Sequence, residues 1–409
     1  MRAVVQSAAR DPSFALLWTS RLLSVISVQV LTVAVGWQLY DLTNNPLDLG
    51  LVGLFQFVPI VSLTLVVGSV ADRYDRRLIV AACRVIESVC AAVLALGTLG
   101  GWLSAGLIFT TMAVLGCAQA FEQPTMSALM PGLVPRRELA RAMVWYTTAS
   151  QVARISGPAL GGLLYLLGPT MAYGVAACSF LLAAAATVPL KVQRTVGTKP
   201  PLSLESIFAG LAFTWRTPVI LGSISLDLFV VLLGGATALL PIYARDILQT
   251  GPEGLGLLRS APALGALLMS GVLMVFPIQD RVGRLLFGAV TIFGLATIVF
   301  GLSTSLPLSL GALMVLGASN FVSAVIRHSV VQLRTPDGMR GRVTAVFSLF
   351  TGTSNQLGDF ESGLAAALFG AVPAVLIGGV GTVAVAGLWM GLFPEIRRMR
   401  TLDGRPSPD

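Results

Sequence analysis

Cut at its charges and at its Pro/Gly turns, the chain divides into about twelve apolar runs, each near or above the ~20 residues that a helix needs to cross a bilayer. The runs are 13 to 40, 47 to 71, 77 to 99, 102 to 130, 138 to 166, 169 to 190, 216 to 245, 254 to 279, 284 to 304, 306 to 333, 342 to 369 and 371 to 393. Barrel strands would be ~10 residues long and would alternate in polarity, so these lengths predict helices. With 55% hydrophobic and 11% charged residues and a mean hydropathy of +0.83, the chain is too apolar for one soluble core. The expected fold class is an all-α membrane protein with twelve transmembrane helices in two six-helix halves.

Orientation follows from the basic residues. Of 27 Arg and Lys, 23 fall in the N-terminus, the even-numbered loops (72 to 84, 136 to 141, 191 to 216, 281 to 284, 327 to 342) and the C-terminal tail. By the positive-inside rule both termini are cytoplasmic. The net charge of +8 is therefore a topology signal, and no basic stripe interleaved with aromatics points to nucleic acid. Residues 1 to 12 are polar and the first run lacks a small-residue cleavage site, so that run is expected to insert and stay. Cys83, Cys90, Cys117 and Cys178 sit in apolar runs without metal or redox spacing and read as packing residues.

The chain also repeats itself. Gly68-Ser-Val-Ala-Asp72-Arg73-Tyr-Asp75-Arg76-Arg77 and Phe276-Pro-Ile-Gln-Asp280-Arg281-Val-Gly283-Arg284 are charged hinges between apolar runs, and Pro135 and Arg141 recur as Pro336 and Arg342 at an offset of 201. Parallel repeats about an axis along the membrane normal are a known transporter plan. Residues 1–190 and 216–395 are read as the two bundles. The linker 191–215 contains the helical apolar spacing of Leu204 to Phe213, expected to lie along the cytoplasmic surface, and 396–409 is the tail.

The first hinge resembles the loop signature of the major facilitator superfamily, and Gly157-Pro158-Ala-Leu-Gly161-Gly162 is similar to its antiporter signature. Asp75 replaces the usual Gly, the second copy has Phe276 for the leading Gly, and Ala153 stands where the antiporter signature often begins with Gly. Phe121-x-x-Pro124 with Leu133-Val-Pro135, Ala153-Arg154-Ile-Ser-Gly157-Pro158 and Asp359-Phe-Glu361-Ser-Gly363 resemble the subgroup containing bacterial enterobactin exporters and macrolide-type drug exporters. The resemblance implies alternating access, a small-molecule substrate, protons as coupling ion, no cofactor, a monomer and a multi-pass protein of the bacterial plasma membrane.

It also implies that the first hinge latches the cytoplasmic gate, with Asp72 near the amides at the start of the eleventh run, 341 to 344, and Arg76 facing an acid on the fourth, for which Glu122 is the candidate. Arg73, Arg77, Asp280, Arg281, Gly283 and Arg284 complete the two copies. The other reading is that these charges only enforce topology. In the fifth run, Gly157, Gly161 and Gly162 with Pro158 form a surface that a neighbouring helix can approach closely. That surface serves either antiport or ordinary packing.

Ionisable groups inside a bilayer are costly and are candidates for function. Arg21, Gln29, Glu87, Arg154 and Asp227 lie within runs. Arg84 one turn before Glu87 offers a local neutralising pair. The eleventh run concentrates Ser354, Asn355, Gln356, Asp359, Glu361 and Ser362; Asp359 and Glu361 would meet Arg154 or Arg21. A carboxylate in a partly dry cavity can take a proton from one side and release it when the other opens. The order of expectation for that role is Asp359, Asp227, Glu361, and the alternative for each is neutralising Arg154. Trp18, Trp37, Phe55, Phe57, Trp145, Tyr146, Phe229 and Tyr243 either line a pocket for amphipathic molecules or face lipid.

The expected function is proton-coupled export of small amphipathic molecules such as siderophores or drugs. The alternative is a proton-coupled nutrient uptake symporter. No Walker A segment is present, His328 is the one histidine and is placed in the loop after the tenth run, and no metal constellation is spaced for binding. An enzyme is not expected.

Overall fold

The structure is a computed structural model that describes residues 12–133, 139–190 and 204–402. Pro135, most of the 191–215 linker and residues 403–409 lie outside the described residues, as do the surroundings of Gly68 and the side chains of Asp72 and Arg141.

The described chain is helical: α1 (Pro12–Thr43), α2 (Pro46–Arg73), α3 (Arg76–Leu99), α4 (Ala105–Leu133), α5 (Leu139–Leu166), α6 (Pro169–Thr187), α7 (Leu204–Arg216), α8 (Pro218–Leu233), a 3-10 turn (Gly235–Leu239), α9 (Leu240–Ile242), a π turn (Tyr243–Ile247), α10 (Pro252–Val275), α11 (Val282–Leu302), α12 (Leu306–Arg334), α13 (Asp337–Phe369), α14 (Ala371–Leu392) and α15 (Pro394–Arg397). Proline opens α6, α8 and α12 within their first two positions, where its missing amide proton costs nothing. Ten spans among the described residues are long and apolar enough to cross a membrane. α5 and α13, of 28 and 33 residues, are not among them, because they carry the polar residues of the Arg154 and Asp359 segments.

The chain forms two compact units: residues 1–44, 55–201 and 250–260, and residues 45–54, 202–249 and 261–409. Inside the first, α1 packs on α5 and α6, and α3 packs on α4 and α6; inside the second, α8 packs on α13 and α14, and α11 packs on α12 and α14. Counted in spans, both follow one plan, first against fifth and sixth, third against fourth and sixth. The first core gathers Leu17, Val80, Met126, Leu129, Leu133 and Leu190; the second gathers Ile220, Ile224, Val331, Val343 and Phe347, with Phe213 of α7 against it.

The backbone repeats too. Asn44 (φ 49°) and Gln249 (φ 50°) close the first span of each unit in the left-handed region, and Gly168 (φ 118°) and Gly370 (φ 93°) join the fifth to the sixth. Glycine suits the latter pair because a Cβ resists those angles. Asn tolerates the left-handed turn better than most residues, whereas Gln249 has no such exemption.

The two hinges are built differently. In the first, the Asp75 carboxylate caps α3 by accepting from the Arg77 amide at 2.9 Å and pairs with the Arg77 guanidinium at 2.7 Å, and Arg77 Nη1 donates to the Leu190 carbonyl at 2.7 Å. The departure from glycine at Asp75 thus supplies an N-cap. In the second, Arg281 takes φ 57°, and the Gly283 amide donates to the Met399 carbonyl at 2.9 Å. A side chain at Gly283 would strike the carbonyls of Ile396 and Arg397.

Candidate functional site

In the first unit, four helices converge on one buried ion pair. Arg84 of α3, 0% exposed, donates from Nη2 and Nε to Glu122 Oε1 of α4 at 3.1 and 3.2 Å. Its Nη1 donates to Thr187 Oγ1 at 2.5 Å and to the Ala183 carbonyl at 3.1 Å on α6, and to Ser20 Oγ on α1. Ser24 of α1 adds a longer bond to Glu122 at 3.4 Å. An arginine fork can satisfy several acceptors at once, which suits it to a sealed site of this kind.

This arrangement corrects three expectations. Glu122 answers Arg84 rather than Arg76, because eight helical residues carry Arg84 about 12 Å deeper than the first residue of α3. Arg84 is spent on α1, α4 and α6, so it does not form the local pair with Glu87. It is also a buried residue rather than a loop charge. Glu87 is left 0% exposed, with neither carboxyl oxygen hydrogen-bonded among the described residues. The charges that act on it are those of Glu122, Arg84 and Arg21.

The second unit holds its own buried pair. Arg327 Nη2 of α12 meets Asp227 Oδ1 of α8 at 2.7 Å, and Thr351 of α13 donates to Asp227 Oδ2 at 2.6 Å. Arg327 and His328, expected in a cytoplasmic loop, both lie inside α12, and the His328 ring meets Phe347 edge-on at 4.6 Å. The signal that could have found Arg327 is its flank: Val325-Ile326 precede it and Val330-Val331 follow. Thr351 carried no signal, since a threonine in an apolar helix is ordinary.

Along α5, Tyr146, Ser150, Arg154, Gly157 and Gly161 fall within about 80° of one another at ~3.6 residues per turn. This stripe faces α1. Arg21 Nε donates to Ser150 Oγ at 3.0 Å, and its guanidinium lies 5.0 Å from the Tyr146 ring centroid; Trp18 Nε1 donates to the Trp145 carbonyl at 3.2 Å. A Cβ on Gly157 would lie 2.6 Å from Gln29 Cβ, and one on Gly161 would lie 3.0 Å from Val30 Cα. Gly162 closes instead on the Pro252 carbonyl oxygen, 2.5 Å from a built Cβ. Gly157→Leu is therefore expected to lower stability by about 1–3 kcal/mol through overpacking, read as a lower unfolding midpoint in detergent; an unchanged midpoint would mean that α1 and α5 do not meet there.

Arg154 is exposed, and among the described residues it has no hydrogen bond or ion pair. Within the second unit, Glu361 accepts from Ser362 at 3.5 Å, and Asn355 donates to the Thr351 carbonyl at 2.8 Å. On α2, Gly50 and Gly53 lie against Asp359, Phe360 and Gln356 of α13. Among the aromatics, Tyr243 is buried and donates to the Gly301 carbonyl at 3.1 Å, a packing role. Phe55 stacks on Phe109 at 5.0 Å. Arg73, Asp280, Arg281 and Arg284 are exposed at the helix ends. No group of three or more metal-ligating side chains occurs among the described residues.

A family model described as "Transmembrane secretion effector" (MFS_3) matches residues 6–408. An enterobactin exporter, EntS, of Citrobacter koseri is 27% identical over 97% of this chain and 95% of its own length; an EntS of Escherichia coli O1:K1 is 26% identical over 95% and 94%. Among solved structures, a bacterial homologue of the human lysosomal transporter Spinster, inward-facing and occupied, shares the fold with a TM-score of 0.74 at 15% identity, covering 97% of this chain and 98% of that one. A peptide transporter of the POT family has a TM-score of 0.75 at 11% identity, with 95% of each chain covered. These relatives and neighbours are transporters rather than enzymes, and with the ten spans they make this a multi-pass inner-membrane protein. Since the family match runs over nearly its whole length, the chain belongs to the transmembrane secretion effectors of the major facilitator superfamily and is a membrane transporter.

Proposed function

We propose that the protein exports small amphipathic molecules, siderophores or drug-like compounds, by alternating access and in exchange for protons. Twelve helices cross the bilayer in two six-helix bundles, with both termini cytoplasmic and the transporter a monomer. The observation that carries proton coupling is Glu87. It is sealed inside a span with both oxygens unpaired, beside one acid that already holds the local arginine. A group so placed can bind or release a proton without breaking an ion pair. Asp227 is engaged by Arg327 and Thr351, which favours a structural role for it. Asp359 and Glu361 remain the further carboxyls proposed for the path. The EntS relatives support export and the siderophore class.

The test is transport in proteoliposomes with an imposed pH gradient, across a panel of siderophores and lipophilic dyes. Substrate is expected to move against the proton flow. Substrate and proton moving together would replace this reading with that of an uptake symporter.

The first hinge is proposed as the cytoplasmic latch, with Asp72 as its anion. Asp72→Asn is expected to insert at wild-type levels and lower transport about tenfold, since one charge-assisted contact is worth ~1.5–3 kcal/mol. Full transport by that variant would leave the hinge as a topology signal alone.

A further inference from the structure

Arg154 stands near the middle of α5, twelve or more residues from either end of Leu139–Leu166. At ~1.5 Å per residue, that is about 18 Å of helix to either surface, too far for an arginine to snorkel. An unpaired guanidinium at that depth needs water or a partner. Its stripe on α5 points it along α1, and the charged group that acts on it is another cation, Arg21. Arg21 is held by Ser150 and Tyr146, neither of which neutralises it. Trp18 of α1 borders the same strip, its indole Nε1 donating to the Trp145 backbone carbonyl of α5. Of the acids of this unit, Glu122 is paired with Arg84, and Glu87 feels the charge of Arg21 without an ion pair to it. Among the described residues no acid is ion-paired to Arg21 or Arg154, so the α1/α5 strip carries two positive charges next to flat aromatic side chains.

We propose that Arg21 and Arg154 form the anion-recognising part of the substrate site, and that the exported molecule is an organic anion with an aromatic portion. The proposal rests on the export reading and specifies its substrate class. The guanidinium of Arg154 offers a charge-assisted contact to a carboxylate or other delocalised anion. Tyr146 and Trp18 offer faces for the ring.

The test measures binding without transport. Purified protein is titrated with labelled 1-naphthoate and with neutral 1-naphthamide, in a scintillation proximity assay. Wild type is expected to prefer the anion by about tenfold or more, the scale of one charge-assisted contact. Arg154→Gln is expected to abolish that preference, and Arg154→Lys to restore most of it. Equal binding of the two probes by wild type, or an unaltered preference in Arg154→Gln, would overturn the proposal. If anion preference is found but no proton exchange, the export reading fails alone. If proton-driven export proceeds without anion preference, this inference fails alone.

Discussion

Glu87→Gln is expected to reduce pH-gradient-driven transport in proteoliposomes by roughly tenfold or more, while the variant folds and unfolds near the wild-type temperature. The replacement keeps the shape of the side chain and removes only its capacity to exchange a proton. No donor in the described structure lies within hydrogen-bond distance of either carboxyl oxygen, and the new amide can still donate to Glu122, whose side chain lies beside it. Substrate counterflow, which needs no net proton movement, is expected to persist in the variant. Wild-type gradient-driven transport by Glu87→Gln would remove Glu87 from the proton path and return the role to Asp359.

Arg84→Ala is expected to have the largest effect on stability. It leaves the Glu122 carboxylate in a site that is 5% exposed, with the 3.4 Å contact from Ser24 in place of its arginine. Breaking a buried ion pair from one side costs about 3–5 kcal/mol, because the remaining charge is stranded. Ser20 and Thr187 also lose a donor, although both retain bonds to the Ala183 carbonyl. Thermal unfolding in detergent is expected to show a clear drop in midpoint. The double replacement Arg84→Met with Glu122→Leu is expected to recover much of it, since apolar residues of similar size can substitute for a buried pair. A single Arg84→Ala variant as stable as wild type would mean that the pair is not sealed.

Much of this fold could be read from the chain because bilayer thickness sets a length that apolar runs must match. The runs at 77 to 99 and 306 to 333 coincide with α3 and α12 to within a few residues. The start of α13 lies five residues before the run at 342, because Asp337 to Gly341, with two charges and two glycines, are helical although they break the apolar run. Pairing was harder to read. Arg84 has Glu87 one turn away in sequence, but its guanidinium is claimed by α1, α4 and α6, and only tertiary packing brings those helices together. Arg327 was hidden for the opposite reason: it lies near other basic residues in sequence and was counted with them as a loop charge, although α12 carries it into the core. The duplicated hinge was visible as a motif. Of its unequal supports, the Asp75 cap lies within the first copy, whereas the Met399 carbonyl that holds the second comes from a segment far along the chain.

The most direct test of proton-coupled export records the proton rather than the substrate. Proteoliposomes of the wild-type protein are loaded with a pH-sensitive dye and buffered equally on both sides, and an exported aromatic siderophore or dye is then added outside. Exchange predicts that substrate moving down its gradient drives protons the opposite way, giving an internal pH change that Glu87→Gln lacks. Substrate movement with no pH change, or with protons carried in the same direction, would contradict it.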